Sequence, residues 1–435
     1  MELVSRYREL IIGLLMFALV SIFYIIWSYG LTDPNLVFTT WQPYWQAQLW
    51  LWQTLFDNSQ RATYVYVALG TILWAVYGYL LWLTTTKYKQ QRMDKGAWVL
   101  VLGSSLPLVL AYNALSHDIF NYLFNAKMVL VYGADPHVTN ALEFAFDPWV
   151  RFMHNTHTAA PYGYGWTILS LVPYTLGLGK FSLTWIVFKL WSWISVLTLA
   201  AVLAWFSGLV RKRQLLVAEA VALFLNPLFV VEVVGYGHND LWMMIPAVIA
   251  VGLVTAYGTK RLSLALAALL GSISIKYATL ALIPVVVGLI YADYWWVWLR
   301  SRLRFRILFM LGQGLFKRLF GWVVREQTAS LIATISSVLL LLLLLSPRSQ
   351  QFHPWYLSWV LVWLPFINFR GWKVAVLALS ISSFFRYVPW LWRGEYTDDI
   401  ILAQKLVTWL GAIVLLGAWY AYRTRQMQSR SVMKI

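Results

Sequence analysis

The sequence predicts an all-α protein, a polytopic transmembrane helical bundle of about twelve spans, and three observations carry that expectation. Of 435 residues, 60% are hydrophobic and only 12% charged, with a mean hydropathy of +0.65; a soluble domain carries about 25% charged residues. Apolar runs approaching the roughly 20 residues a helix needs to cross a bilayer recur along the chain. Between them, Lys and Arg gather in short stretches, at 87–95 (KYKQQRMDK), 211–213 (RKR), 260–261 (KR) and 300–306 (RSRLRFR), the signature of cytoplasmic loops.

Taken in order, the spans fall near 9–29, 63–86, 97–115, 182–209, 215–234, 240–257, 262–275, 277–292, 328–346, 355–369, 373–389 and 399–422. The first run lacks a small-residue cleavage site after it and reads as a retained span. Both termini then face the cytoplasm. With residues near span ends assigned to the nearer side, 24 of the 34 Lys and Arg lie inside, 7 outside and 3 (Lys189, Lys276, Lys405) at membrane depth. Lys189 reads as snorkelling or paired internally. The net charge of +17 fits contact with anionic lipid headgroups rather than nucleic acid. The absence of cysteine excludes disulfides, thiolate metal sites and a cysteine nucleophile.

Residues 1–435 read as one transmembrane domain. The Trp- and Gln-rich segment 34–61 is expected to lie in the outer interface as an amphipathic helix. Residues 161–180 could cross the membrane by length, but the RKR loop would then lie outside. Their Gly, Pro and Tyr content fits an interfacial or re-entrant helix on the outer side. Residues 295–326 are expected to form a basic, amphipathic cytoplasmic surface segment.

The topology is tested by residues not used to build it. All six histidines (117, 137, 154, 157, 238 and 353) fall on the outer side, as do eleven of the seventeen acidic residues. Reactive polar groups thus collect on one face.

Several of these have two readings. Asp118, directly after the third span, either caps the amphipathic helix over 119–132 that Gly133 ends, or is a carboxylate at the membrane mouth able to take a proton. Asp135 before Pro136 forms a turn or touches a ligand. Gly237-His238-Asn239-Asp240 joins two spans as a plain turn or faces a ligand. Lys276 sits between two short apolar runs, where an ammonium is expensive; it contacts a phosphate or snorkels. Arg348 is an outer anchor or a phosphate ligand. Arg386 and Arg393, among Tyr387, Trp390 and Trp392, form a sugar- or phosphate-binding loop or an interfacial belt. His154-x-x-His157 near His137 and Asp147 could hold a divalent metal, yet the spacing defines no third ligand, so no cofactor is expected.

Three islands together resemble a family. They are His117-Asp118-Ile119-Phe120-Asn121-Tyr122 with Tyr132-Gly133-Ala134-Asp135-Pro136; Ala160-Pro161-Tyr162-Gly163-Tyr164-Gly165-Trp166; and Asn226-Pro227-Leu228, Glu232, Gly237-His238-Asn239-Asp240, Lys276-Tyr277 and Pro284. In that order they are similar to the C-type (GT-C) glycosyltransferases, most closely the bacterial polyprenyl-phosphate-mannose-dependent mannosyltransferases. The likeness spans about 97–292, with a looser echo at His353-Pro354-Trp355-Tyr356; Tyr164 stands where the family has proline.

The resemblance implies a transferase whose outer-face catalytic loop, residues 116–181, carries juxtamembrane helices. It moves a sugar, mannose by likeness, from a polyprenyl-phosphate donor to a hydroxyl of a glycan or glycolipid acceptor, with inversion. Asp118 would be the general base. Asp135, Tyr162, His238, Asn239, Asp240, Lys276, Arg348 and His353 would bind substrate, with Lys276, Arg348 and His353 facing the leaving phosphate. The rivals are a lipid or solute transporter or flippase and another transferase of polyprenyl-linked groups. Broken helices near Lys276 would suit a transporter, but no matched pair of interrupted segments occurs.

Overall fold

The computed structural model describes residues 6–31, 38–39, 41–302, 313–345 and 352–432, with side chains except at 55, 293–324 and 428–432. Helices of eight residues or more are α1 Arg8–Gly30, α2 Gln42–Leu51, α3 Ser59–Thr86, α4 Lys95–Gly103, α5 Asp118–Tyr132, α6 Tyr164–Leu176, α7 Phe181–Phe206, α8 Val217–Phe224, α9 Asp240–Tyr257, α10 Leu262–Ile275, α11 Ile283–Arg302, α12 Gln313–Leu344, α13 Arg370–Phe384 and α14 Asp398–Val432. Among the described residues there is no strand, and a single isolated bridge pairs Arg92 with Leu216. Arg348 lies outside the described residues, as do 34–37 and 303–312 of the two expected surface segments.

Seven stretches are long and apolar enough to cross a membrane, or eight if α8 and the helical segment Pro227–Gly235, bent 49° to it, form one broken span. That differs from the expected twelve, and the differences have physical causes. Lys95–Leu110 and Tyr277–Ala292 are apolar but short. Residues 355–369 form no long helix: 3₁₀ turns at Pro354–Tyr356 and Leu364–Phe366 flank the short helix Leu357–Leu361. Residues 357–367 are buried throughout, the setting in which broken backbone is tolerated at membrane depth. The stretch Asp240–Ile275 counts once by length, yet Gly258 breaks it. Ser272 Oγ donates to the Met243 carbonyl at 2.7 Å, so α10 folds back antiparallel along α9. The 13 residues of α6 reach only about 20 Å, less than a bilayer core; this fits the interfacial or re-entrant expectation. Six of the ten residues of α2 are exposed, and Gln48 is its one buried residue.

The basic loops at 87–95 and 211–213 meet at one end, where Met93 N donates to Leu215 O and Arg92 bridges to Leu216. Lys87 pairs with Glu9 at 2.6 Å and Arg6 with Asp94 at 3.2 Å. Arg211 and Arg213 both bind Glu219 (2.9 and 2.6 Å) and Glu326 (3.2 and 2.6 Å). Two of the three cations in the RKR loop are therefore held within the protein, and Lys212 is the exposed one. His117, His154 and His353 line a cavity at the other end, and His238 lies beside its Asp118.

Candidate active site

Asp118 is the first residue of α5, and its predecessor His117 is the N-cap, without a side-chain capping bond. Its carboxylate does not cap the helix. It points at His238, whose Nδ1 is 3.6 Å from Oδ2, and the Tyr162 hydroxyl is nearby. With the side chain 19% exposed, it lines a cavity of about 260 Å³ together with Ser116, His117, Asn121, His353 and Arg386. Burial raises the Asp118 carboxyl from 3.8 to about 6; Lys276 opposes the rise, Asp240 adds to it, and the Tyr162 hydroxyl opposes it.

His238 is brought to Asp118 by the turn before α9. Gly237 there has φ +76°, and a Cβ at this position would stand 2.8 Å from Cδ1 of Ile119 in α5. A side chain there would strain the backbone and displace the end of the Ile119 side chain. The buried His238 ring lies between two carboxylates, with Nε2 3.4 Å from Glu232 Oε2. Both separations exceed strong hydrogen-bond length. The ring stacks on Trp355 at 4.0 Å, and His353 stacks near the same indole at 4.3 Å. Glu232 also accepts from Tyr387 at 3.0 Å.

Lys276 sits where α10 ends in extended backbone. Its ammonium is 2.9 Å from Asp240 Oδ1, at the start of α9, and the same oxygen accepts from Trp359 at 2.5 Å. The rings of Tyr356, Trp359 and Tyr162 surround it at 5.0, 5.4 and 5.9 Å, a cation–π cage. This gives the intramembrane lysine a partner and leaves it out of the cavity lining. Lys189, likewise buried, donates to the carbonyls of Ala111 and Gly235. Tyr162 reaches the cage because the loop before α6 docks on the end of α10. Gly163 N donates to Ile275 O at 3.0 Å, and a Cβ at Gly163 would lie 2.0 Å from the Ser274 carbonyl oxygen.

The sequence-predicted residues divide. Asp118, Tyr162, His238, Asp240, Lys276 and His353 meet in this one region. Asn239 is buried beside them, with neither amide atom of its side chain hydrogen-bonded. Asp135 is elsewhere, in a turn: it accepts from the His137 backbone at 2.9 Å and from the Tyr164 hydroxyl at 2.8 Å. The tyrosine that replaces the family's proline thus tethers that turn to α6. Cationic help comes from Arg386, which lines the cavity and bonds Thr408 at 3.2 Å. His353 contributes no positive charge near neutral pH, because burial, with Arg386 and Lys276 nearby, lowers it to about 3. Its place is that of a neutral donor or acceptor.

The candidate metal ligands are engaged apart from one another. His154 stacks on His117 at 3.7 Å, His137 faces Thr167, and Asp147 binds Lys127 and Tyr132. Among the described residues no group of three or more His, Asp or Glu is placed to hold a metal.

Sequence reasoning named Glu232 and Trp355 only as part of the resemblance and passed over Trp359. A lone acid within the apolar run VVEVVG was itself a signal. The tryptophans carried none, being two among 27.

A family model described as "Alpha-(1->6)-mannopyranosyltransferase, N-terminal domain" matches residues 16–292. That span holds Asp118, Tyr162, Glu232, His238, Asp240 and Lys276. No curated protein and no solved structure matches the chain.

Proposed function

The chain belongs to the alpha-(1->6)-mannopyranosyltransferase family, and from that premise we propose that it transfers mannose from a polyprenyl-phosphate donor to a hydroxyl of a glycan or glycolipid at the extracytoplasmic face. It is a membrane glycosyltransferase, and this sets aside the transporter reading. The observation that carries the proposal is the shared cavity. It holds one carboxylate of raised proton affinity, one arginine, and the buried histidine–tryptophan stack at its wall.

The acceptor hydroxyl attacks the anomeric carbon as its proton passes to Asp118. The bond from that carbon to the phosphate oxygen breaks, and the lipid phosphate leaves as an anion. A base titrating near 6 is ionised at neutral pH yet basic enough to take the proton as the new bond forms. The leaving phosphate needs donors more than an acid; Arg386 supplies a forked cation and His353 a neutral hydrogen bond. With inversion, an α-linked product requires a β-linked donor. His238 and Tyr162 orient Asp118, while Lys276 with Asp240 holds the cage beneath it.

The extracytoplasmic assignment rests on charge: the basic loops at 87–95 and 211–213 meet at the end away from the cavity, the side that positive-inside bias makes cytoplasmic. With crossings by α4, by the α9–α10 hairpin as two spans, and by the broken segments at 277–292 and 355–369, the chain makes twelve and both termini are cytoplasmic.

The test uses purified protein in nanodiscs with labelled polyprenyl-phosphate mannose or labelled nucleotide mannose. Transfer from the lipid donor alone is expected. Transfer from the nucleotide sugar alone would overturn the donor assignment.

A further inference from the structure

A second cavity, of about 480 Å³, opens at the far ends of the helices that wall the first. It is lined by Arg370, Lys373 and Val374 at the start of α13, and by Trp419, Tyr422 and Arg423 near the end of α14. The segment that begins at Arg370 reaches the first cavity at Arg386, sixteen residues on, and α14 touches that cavity at Gln404, eighteen residues before Tyr422. At 1.5 Å per residue these spacings are roughly 24 and 27 Å, close to the thickness of a bilayer core. The two cavities therefore face opposite sides of one membrane. The second is on the side of the basic loops, and Lys373 is near enough to feel the charges of Glu219 and Arg211.

Its chemistry is one-signed. Three cations line it, no carboxylate does, and among the described residues none of the three cations has an ion-pair partner. Glu219, the acid Lys373 feels, is already bound by Arg211 and Arg213. Lys373 is half-buried while Arg370 and Arg423 reach solvent. Arg423 lies 5.5 Å over the Trp419 ring, which holds its guanidinium at the rim. Val374 and Met427 add apolar wall. An unpaired cation trio, one member half-buried and two at the rim, beside aromatic and aliphatic surface at a membrane boundary fits a phosphate anion attached to something greasy. Basic pockets between helices on the cytoplasmic side are of this kind.

We propose that this cavity is a binding site for a phosphate-bearing anion, the headgroup of an anionic phospholipid of the inner leaflet. The phosphate sits among Arg370, Lys373 and Arg423, and the glycerol and upper acyl chain lie against Val374, Trp419 and Met427. The site is separate from the transferase cavity and does not depend on the mechanism proposed for it.

The experiment is native mass spectrometry of the full chain released from nanodiscs of phosphatidylglycerol or of phosphatidylcholine, with thermal unfolding measured in parallel. The wild type is expected to retain phosphatidylglycerol and to melt higher with it than with phosphatidylcholine. The Arg370→Gln/Arg423→Gln variant should lose most of both effects, while Lys212→Gln, which removes an exposed cation at the same end, should keep them. A separate arm adds inorganic phosphate to protein in neutral detergent. If phosphate alone stabilises the wild type but not the double variant, the anion is a soluble one and the lipid assignment falls. If the double variant retains phosphatidylglycerol as the wild type does, or if Lys212→Gln loses as much, the attraction is general surface charge and the site is refuted. Should the double variant not fold, Lys373→Gln alone serves in its place and must weaken retention severalfold.

Discussion

Replacing Asp118 by Asn separates a base from a cap by two readouts of opposite sign. Burial moves this carboxyl from 3.8 to about 6. At about 1.36 kcal/mol per pH unit, ionising it in the folded protein costs up to about 3 kcal/mol at neutral pH, a ceiling because the group retains some solvent contact. Its folded-state value is raised, so between pH 3.8 and about 6 the folded state binds more protons than the unfolded one. Wild-type stability therefore falls as pH rises through that window, and the cost is complete above it. Asn carries no charge and escapes it. Asp118→Asn should accordingly melt higher than wild type at pH 7.5, with the gain vanishing toward pH 4, and should transfer mannose some 10²- to 10⁴-fold more slowly. Scanning fluorimetry across pH and a transfer assay read the two effects. A variant that melts lower at pH 7.5 would indicate a structural carboxylate, and one that transfers mannose at the wild-type rate would remove Asp118 as the base.

Other outcomes follow from the same geometry. Transfer by the wild type should lose activity as pH falls through about 6, an acidic limb that the residual activity of Asp118→Asn lacks. Arg386→Gln should raise the donor KM about 10- to 100-fold, the worth of a charged hydrogen bond. Arg393→Gln, exposed and outside the cavity lining, should leave it near wild type; equal effects would mean an unspecific basic belt. Lys276→Met strands Asp240 in the interior and should cost about 3–5 kcal/mol, partly recovered by adding Asp240→Asn, as melting temperatures would show. Gly163→Ala meets backbone at Ser274, which no rotamer change relieves, and should destabilise by about 1–3 kcal/mol; unchanged melting would mean that the loop carrying Tyr162 is free to shift.

What the chain disclosed in advance follows from where information resides. Hydropathy and the K/R pattern foretold helices in a membrane, and Gly133 does end α5 in a left-handed turn at φ +63°. The motif around Asp118 pointed to residues that line one cavity, Asp118 with His117 and Asn121. Span number was less legible because hydropathy registers length and not breaks. Residues 355–369 are apolar enough for a helix, yet Pro354 and Pro365 sit in 3₁₀ turns. Nor could spacing show that Trp359, 119 residues from Asp240, would share its oxygen with Lys276, or that Arg386 rather than Lys276 would line the cavity. Such pairings are made by packing between distant helices.

On the proposed mechanism, the division of labour among three neighbouring acids accounts for one of them serving as a base. Asp118 and Glu232 flank His238 while Asp240 holds Lys276, and a single lysine cannot neutralise three carboxylates. Asp240 takes it directly, at 2.9 Å, with the Trp359 N–H on the same oxygen. Glu232 has the Tyr387 hydroxyl and one face of His238. Asp118 is left with neutral neighbours, Tyr162 and the other face of His238, and with a lysine already engaged. Environments that separate the proton affinities of neighbouring carboxyls assign them different work. The stably paired acid builds the floor, and the one denied a full counter-charge keeps its affinity for a proton. Moving Lys276 toward Asp118 would lower that affinity, so the proposed base requires that the Asp240 pair hold the lysine where it is.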